Sequence, residues 1–201
     1  MAWFVRGKIN GKGYVPNDIV GEDFTAREIV ELSKRSLAGQ PLNSESYPKE
    51  LYLRRSIKTV SNLFTACDGI SVVSAQLRKV IEEWQSERVR FHPVLLRKSK
   101  TGPVIDEYYF LNLIGSFDAI VEGAGQHVSY RPHGDGRPSF IVSRLRDVSL
   151  PVSKEAVKGR HIWLDIRQTV DYGFFISDEL NKKLENLNIR TIDKVSYCPE
   201  I

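Results

Sequence analysis

The text VVSAQLRKVIEEW at residues 72–84 returns late in the chain as FFISDELNKKLENL. Ser74 falls on Ser177, Leu77 on Leu180, Lys79 on Lys182, Ile81 on Leu184 and Glu82 on Glu185, all at one constant offset. No other feature constrains the fold as tightly. In the first copy Leu77, Val80, Ile81 and Trp84 stand at i, i+3, i+4 and i+7, one face of a helix. In the second, Leu180, Leu184 and Leu187 keep that stripe, with Lys183 at the place of Val80. Ser74 and Ser177 stand where a side-chain oxygen accepts a hydrogen bond from a free helix amide. Neither has Glu or Gln three residues on, so neither closes a capping box. A β-prone run precedes each cap, ISVV or FFI. A strand-like run follows each helix, with an aromatic two places before proline: Phe91-His92-Pro93 and Tyr197-Cys198-Pro199. The repeated unit is therefore strand, serine cap, amphipathic helix, strand.

The alternative makes Ser74 or Ser177 a nucleophile. Such a serine needs a base within reach and an oxyanion hole, usually at a glycine-flanked turn. Neither serine lies in GxSxG, and repetition suits a structural cap better. We expect no catalytic residue in this chain.

The remaining text reads as α+β, a mostly antiparallel sheet with a few amphipathic helices, because helices alternate with clusters of strands rather than one by one. FTAREIVELSKRSLAG predicts a helix over 26–38. Thr25 and Glu28 form its capping box, Phe24 and Ile29 a hydrophobic staple, and Gly39 and Pro41 its stop. QPLNSESYPKE is a loop, LYLRRSIK a short strand or extended arm, and Asp68-Gly69 a turn. VRFHPVLLRKS and VIDEYYFLNLI, joined across Thr101-Gly102-Pro103, form a β-hairpin in which Pro93 marks an edge, a strand start or a bulge. FDAIVEG is a further strand, QHVSYRPHGDGRPS a loop, SFIVSRL a strand, VSKEAV one helical turn and HIWLDI another strand. Residues 1–50 are read as an N-terminal extension with one helix, packing as one compact unit with an α+β domain at 51–201.

At 201 residues with 41% hydrophobic and 27% charged content, the chain has enough apolar text for a core, which argues against wholesale disorder. No apolar run approaches the roughly 18 residues of a membrane span. MAWFVRGKIN lacks the apolar centre of a signal peptide, so a cytoplasmic location is expected. Cys67 and Cys198 are too few for a disulfide scaffold and read as structural thiols. The net charge of +4 permits an acidic partner without demanding nucleic acid.

His92, His127, His133 and His161 have no metal-ligand spacing. VEGAGQ is no nucleotide cradle, and Asp106, Glu107 and Glu122 read as solvated charges. No cofactor or metal is expected. Basic residues gather at Arg54, Arg55 and Lys58, at Arg88 and Arg90, at Arg97, Lys98 and Lys100, and at Arg144 and Arg146. Phe91, Tyr108 and Tyr109 would stack bases only if they faced outward. A rival reading is a nucleic-acid-associated module or small hydrolase built on His133 and Asp135, but no RNP-like motif accompanies it.

GISVVSAQLRKVIEEW, then VRFHPVLLRKSKTGPVIDEYYFLNLIGSFDAIV, then GFFISDELNKKLENLNI with a terminal tyrosine and proline, resembles the bacterial immunity proteins of polymorphic toxin systems, a family first catalogued as a domain of unknown function. The resemblance covers roughly residues 50–200. It implies a small, non-catalytic protein that binds and neutralises a cognate toxin, specificity lying in surface loops. The contact is then expected at Arg97, Lys98 and Lys100, and at Arg131, His133, Asp135 and Arg137.

Overall fold

Both copies of the repeated text fold into one and the same unit. In a computed structural model of the chain, the described residues are 1–7, 19–21, 24–53, 60–67, 69–124, 128–132, 138–142, 149–168, 173–187, 189 and 192–201. The first unit comprises β4 (Leu63–Ala66), β5 (Ile70–Ser74), α2 (Ala75–Trp84), β6 (Val89–Arg97) and β7 (Val104–Leu113). The second comprises β11 (Ile162–Asp165), β12 (Phe174–Ser177), α4 (Asp178–Asn186), β13 (Ile192–Cys198) and β1 (Ala2–Gly7). Their strand orders, β4-β5-β7-β6 and β11-β12-β1-β13, correspond place for place. Every pairing within either unit is antiparallel. The start of the chain thus supplies the strand that β7 supplies in the first unit.

The correspondence extends to register. Leu63 opposes Val73 and Ile162 opposes Ile176; Val73 opposes Tyr109 and Ile176 opposes Trp3. Tyr109 in turn opposes Pro93, and Trp3 opposes Tyr197. Pro93, rather than Phe91, is therefore the partner of Tyr197. The sequence alignment of the two aromatic-proline runs slips because β1 and β13 change register between Phe4 and Val5.

Three more strands complete two mixed sheets. β2 (Ile19–Gly21) and β3 (Glu50–Leu53) extend the first, with β3 parallel to β6; β8 (Ser116–Phe117) extends the second, parallel to β11. β9 (Val128–Pro132) and β10 (Pro138–Val142) form a separate hairpin. The predominantly antiparallel α+β class is thus correct. Pro93 lies inside β6, at a point where β7 flanks the strand and β3 has not begun, so it stands on a local edge. The Leu95 N–H points to β3 and bonds the Lys49 carbonyl at 3.0 Å. Two residues earlier the Pro93 nitrogen faces the same side, where β3 has not begun, so no ladder bond is lost.

Period-two alternation sorts side chains between cores. Val73, Tyr109 and Leu111 of the first unit and Val5, Phe174 and Ile176 of the second join the apolar faces of α2 and α4 in one shared core. The alternate residues Val72, Tyr108 and Phe110 pack beneath α1 (Ala26–Leu37) and the segment carrying Leu42 and Tyr47. Ala2, Phe4, Trp163 and Phe175 pack with Ile120, Leu150, Val152 and Val157. The units touch most closely at Gly7, where a Cβ would lie 2.6 Å from Phe64 Cα. Only glycine fits there.

Helix α1 begins and ends as its sequence dictates. The Thr25–Glu28 capping box is present. Gly39, at φ +69°, donates to Ser36 O while Gln40 donates to Arg35 O, the paired bonds of a Schellman stop. The single turn α3 (Lys154–Val157) also forms. Two expectations fail. FDAIVEG forms no strand beyond Phe117, because the Asp165 carboxylate accepts the Ala119 and Ile120 amides, both at 2.9 Å, and turns the chain. The text around Tyr130 forms β9 rather than loop, its backbone satisfied by β10 across the 133–137 connection.

Candidate functional site

Among the described residues, a serine and a histidine meet at the second cap. His161 Nδ1 stands 2.9 Å from Ser177 Oγ. The first unit shows what that contact does. There Ser74 Oγ donates to Asn62 Oδ1 at 2.6 Å, and the Ser74 amide donates to the Asn62 carbonyl at 2.9 Å. The Ser177 amide likewise donates to the His161 carbonyl at 3.0 Å. Both hydroxyls accept the N3 amide of their helix, Leu77 at 3.3 Å and Leu180 at 3.2 Å. Asn62 and His161 thus hold corresponding places beside the two serine caps. Ser177 is 5% exposed and, with His161, lies on the wall of a groove formed with α3 and the last residues of the chain. The Ser177→Ala variant is expected to lose about 1 kcal/mol of stability, as chemical denaturation would read.

The other reactive candidates are similarly occupied. Cys67 and Cys198 are buried free thiols, and burial pushes Cys198 up to about 12, far from a thiolate at neutral pH. His92 is buried and stacks on Tyr47 at 4.7 Å; burial, then Arg90, holds it below its ordinary value and so neutral. Among the described residues no cluster of His, Cys, Asp and Glu has metal-holding geometry, and no helix is long and apolar enough to cross a membrane. Tyr108 and Tyr109 are buried, and Arg78 lies over both Tyr109 and Phe91, at 4.4 and 5.7 Å. The sheet therefore offers no open aromatic platform for bases.

What the first unit does present is the distal end of its hairpin. β7 pairs with β5 only over residues 108–110. Residues 104–107 therefore run on beside β6 with no strand on their outer side among the described residues. Leu95, Val104 and Ile105 are 39%, 45% and 43% exposed there, among the few large apolar side chains so exposed in the described residues. An open strand edge with exposed apolar side chains is a feature that folded proteins commonly cover or blunt.

Of the residues expected at a contact, Arg97 is already engaged. Its guanidinium binds Glu50 with both arms, at 2.8 and 2.7 Å, and donates to the Gly102 carbonyl at 3.2 Å. It fastens the hairpin to β3, and that bond holds the Glu50 carboxyl below its usual range. Lys98 and Lys100 are exposed at the turn, which Lys98 N→Pro103 O and Gly102 N→Ser99 O close at 3.0 Å each. The backbone of Arg131 pairs with Ser139 in the second hairpin. His133, Asp135 and Arg137 lie outside the described residues, as do Arg54, Arg55, Lys58, Arg144 and Arg146. Sequence reasoning passed over Val104 and Ile105. Their signal was adjacency, since two neighbouring apolar residues in a strand cannot share one buried face.

Two comparisons bear on these surfaces. The sequence pattern of the immunity protein family (Imm11) matches residues 9–196, beginning well before the segment from which the resemblance was read. Among curated proteins, none matches the chain.

Proposed function

Because the chain belongs to the Imm11 immunity protein family, we propose that it binds and neutralises a cognate bacterial toxin without chemistry of its own, protecting the cell that carries both. The observation that supports this reading best is the uncovered end of the β6–β7 hairpin, with Leu95, Val104 and Ile105 in water beside an unpaired edge. A toxin strand laid along residues 104–107 would complete the ladder, and its side chains would flank Val104 on one face of the sheet and Ile105 on the other. Lys98 and Lys100 at the turn supply charge that speeds the encounter with an acidic surface.

The test is co-expression with the toxin encoded beside it. Cells carrying both are expected to grow, and cells carrying the toxin alone to die. Death of cells that hold the folded protein in excess, together with no complex on gel filtration, would remove the reading.

A further inference from the structure

His92 lies in the middle of β6 beneath another ring. Tyr47, just before β3, stacks on His92 at 4.7 Å and on Phe110 at 4.8 Å, and Phe110 is the residue opposite His92 on β7. One phenol ring therefore covers a cross-strand pair. Tyr47 and His92 are 3% and 8% exposed. The His92 Nε2 is closed off from solvent and finds no hydrogen-bond partner among the described residues. A neutral imidazole tolerates that place at a modest cost, whereas an imidazolium carries a charge and an N–H on each nitrogen, all of which need partners.

The groups around the ring do not supply them. Arg90, two residues back on β6, is itself a cation and acts against a second one. Burial keeps the Tyr47 hydroxyl protonated, and the charge that acts on it is Arg35 of α1. On β7 the same face carries Tyr108, Phe110 and Asn112. The Asn112 amide is spent on the Leu42 N–H and the Gln40 carbonyl, at 3.0 and 3.1 Å. Asp106, further along β7, acts on Tyr108. Among the described residues no carboxylate acts on the imidazole.

His92 is fixed in a paired strand, so relief comes from Tyr47. That residue stands on the loop held by Asn112, and three residues later the same loop becomes β3. β3 meets β6 only from Glu50 to Tyr52, and Glu50 is the residue that grips Arg97. Loops with few ladder bonds open at lower cost than the strands they cover. We infer that His92 is an acid-sensitive latch: on taking a proton it displaces Tyr47, draws β3 away from β6 and frees the Arg97 clamp on the hairpin. Its biological use rests on the toxin reading, which it deepens by making that contact weaken in acid. The latch itself is a property of the protein alone.

The closed state disfavours the imidazolium and the open state does not. Closure is therefore at full strength above about pH 6.5, the ordinary imidazole value, and fades as pH falls below it. The test is hydrogen exchange read by NMR at about pH 7.5 and about pH 5, as protection factors corrected for the intrinsic rate at each pH. The Leu95 amide, which bonds the Lys49 carbonyl, is expected to lose about tenfold in protection. The amides of β12, paired with β1 in the second unit, are expected to keep theirs. His92→Phe leaves Tyr47 a ring to stack on and is expected to abolish the change. Should that variant not fold, the ring signals of His92 in the wild type decide, since their titration midpoint must lie below that of a free imidazole. Unchanged protection at Leu95, equal loss in β12, the same loss in His92→Phe, or an ordinary midpoint would each overturn the latch. None of these measurements involves the toxin, so the latch can fail with the toxin reading intact.

Discussion

A chain lacking residues 1–7 is expected to show no cooperative thermal transition. β1 lies between β12 and β13 and is hydrogen-bonded to both, so its removal separates β13 from the sheet and opens two edges at once. Phe4 and Val5 are fully buried, Phe4 against Phe175 at 5.0 Å and Val5 in the core shared with α2 and α4. Deleting one large buried side chain costs about 2–5 kcal/mol. Losing two, with the ladder bonds of six residues, approaches the roughly 5–15 kcal/mol that holds a domain together. The same argument applies to residues 51–201 expressed alone, which lack α1 as well. Circular dichroism melts decide it. A sharp transition near the full-length midpoint would mean that β1 is dispensable, and with it the reading of the second unit.

The second large effect is expected at Asp165, 1% exposed at the end of β11. Its carboxylate accepts three backbone amides, Ala119 and Ile120 at 2.9 Å and Arg167 at 2.8 Å. Arg167 closes the arrangement by donating to the Ile120 carbonyl at 2.9 Å and pairing with Asp118 at 2.8 Å. Burial raises the Asp165 carboxyl, and the three amides and Arg167 pull against it. Asp165→Ala strands those buried donors and leaves Arg167 with less counter-charge. A loss of about 3–5 kcal/mol is expected in urea unfolding. Asp165→Asn should lose less, since an amide oxygen can still serve two of the donors. A loss under about 1 kcal/mol in the alanine variant would show that solvent or backbone shift satisfies the amides instead.

What the sequence made legible was local. The capping box at Thr25, the two serine caps and the hairpin about Gly102 are written within a few neighbouring residues, where periodicity and turn chemistry act. The place of β1 was not legible, because Phe4 meets Phe175 and Ser196 across nearly the whole chain. FDAIVEG read as a strand, and the remote Asp165 carboxylate turns it. The ion pair of Arg97 was hidden for the same reason. Its partner Glu50 arrives through the parallel pairing of β3 with β6, which no local pattern announces. The duplication was visible as text, but its meaning came from Asn62 standing where His161 stands.

The account rests most heavily on the open end of the β6–β7 hairpin. The direct measurement is the affinity for the toxin of the wild type and of the double variant Leu95→Asp/Ile105→Asp, each first shown to melt as the native protein does. Both side chains are already in water, so the changes should spare the fold. The account predicts a loss of at least about thirtyfold in binding, the scale of an interface hot spot, with loss of protection in cells. A natively folded double variant that binds and protects as the wild type does would contradict it.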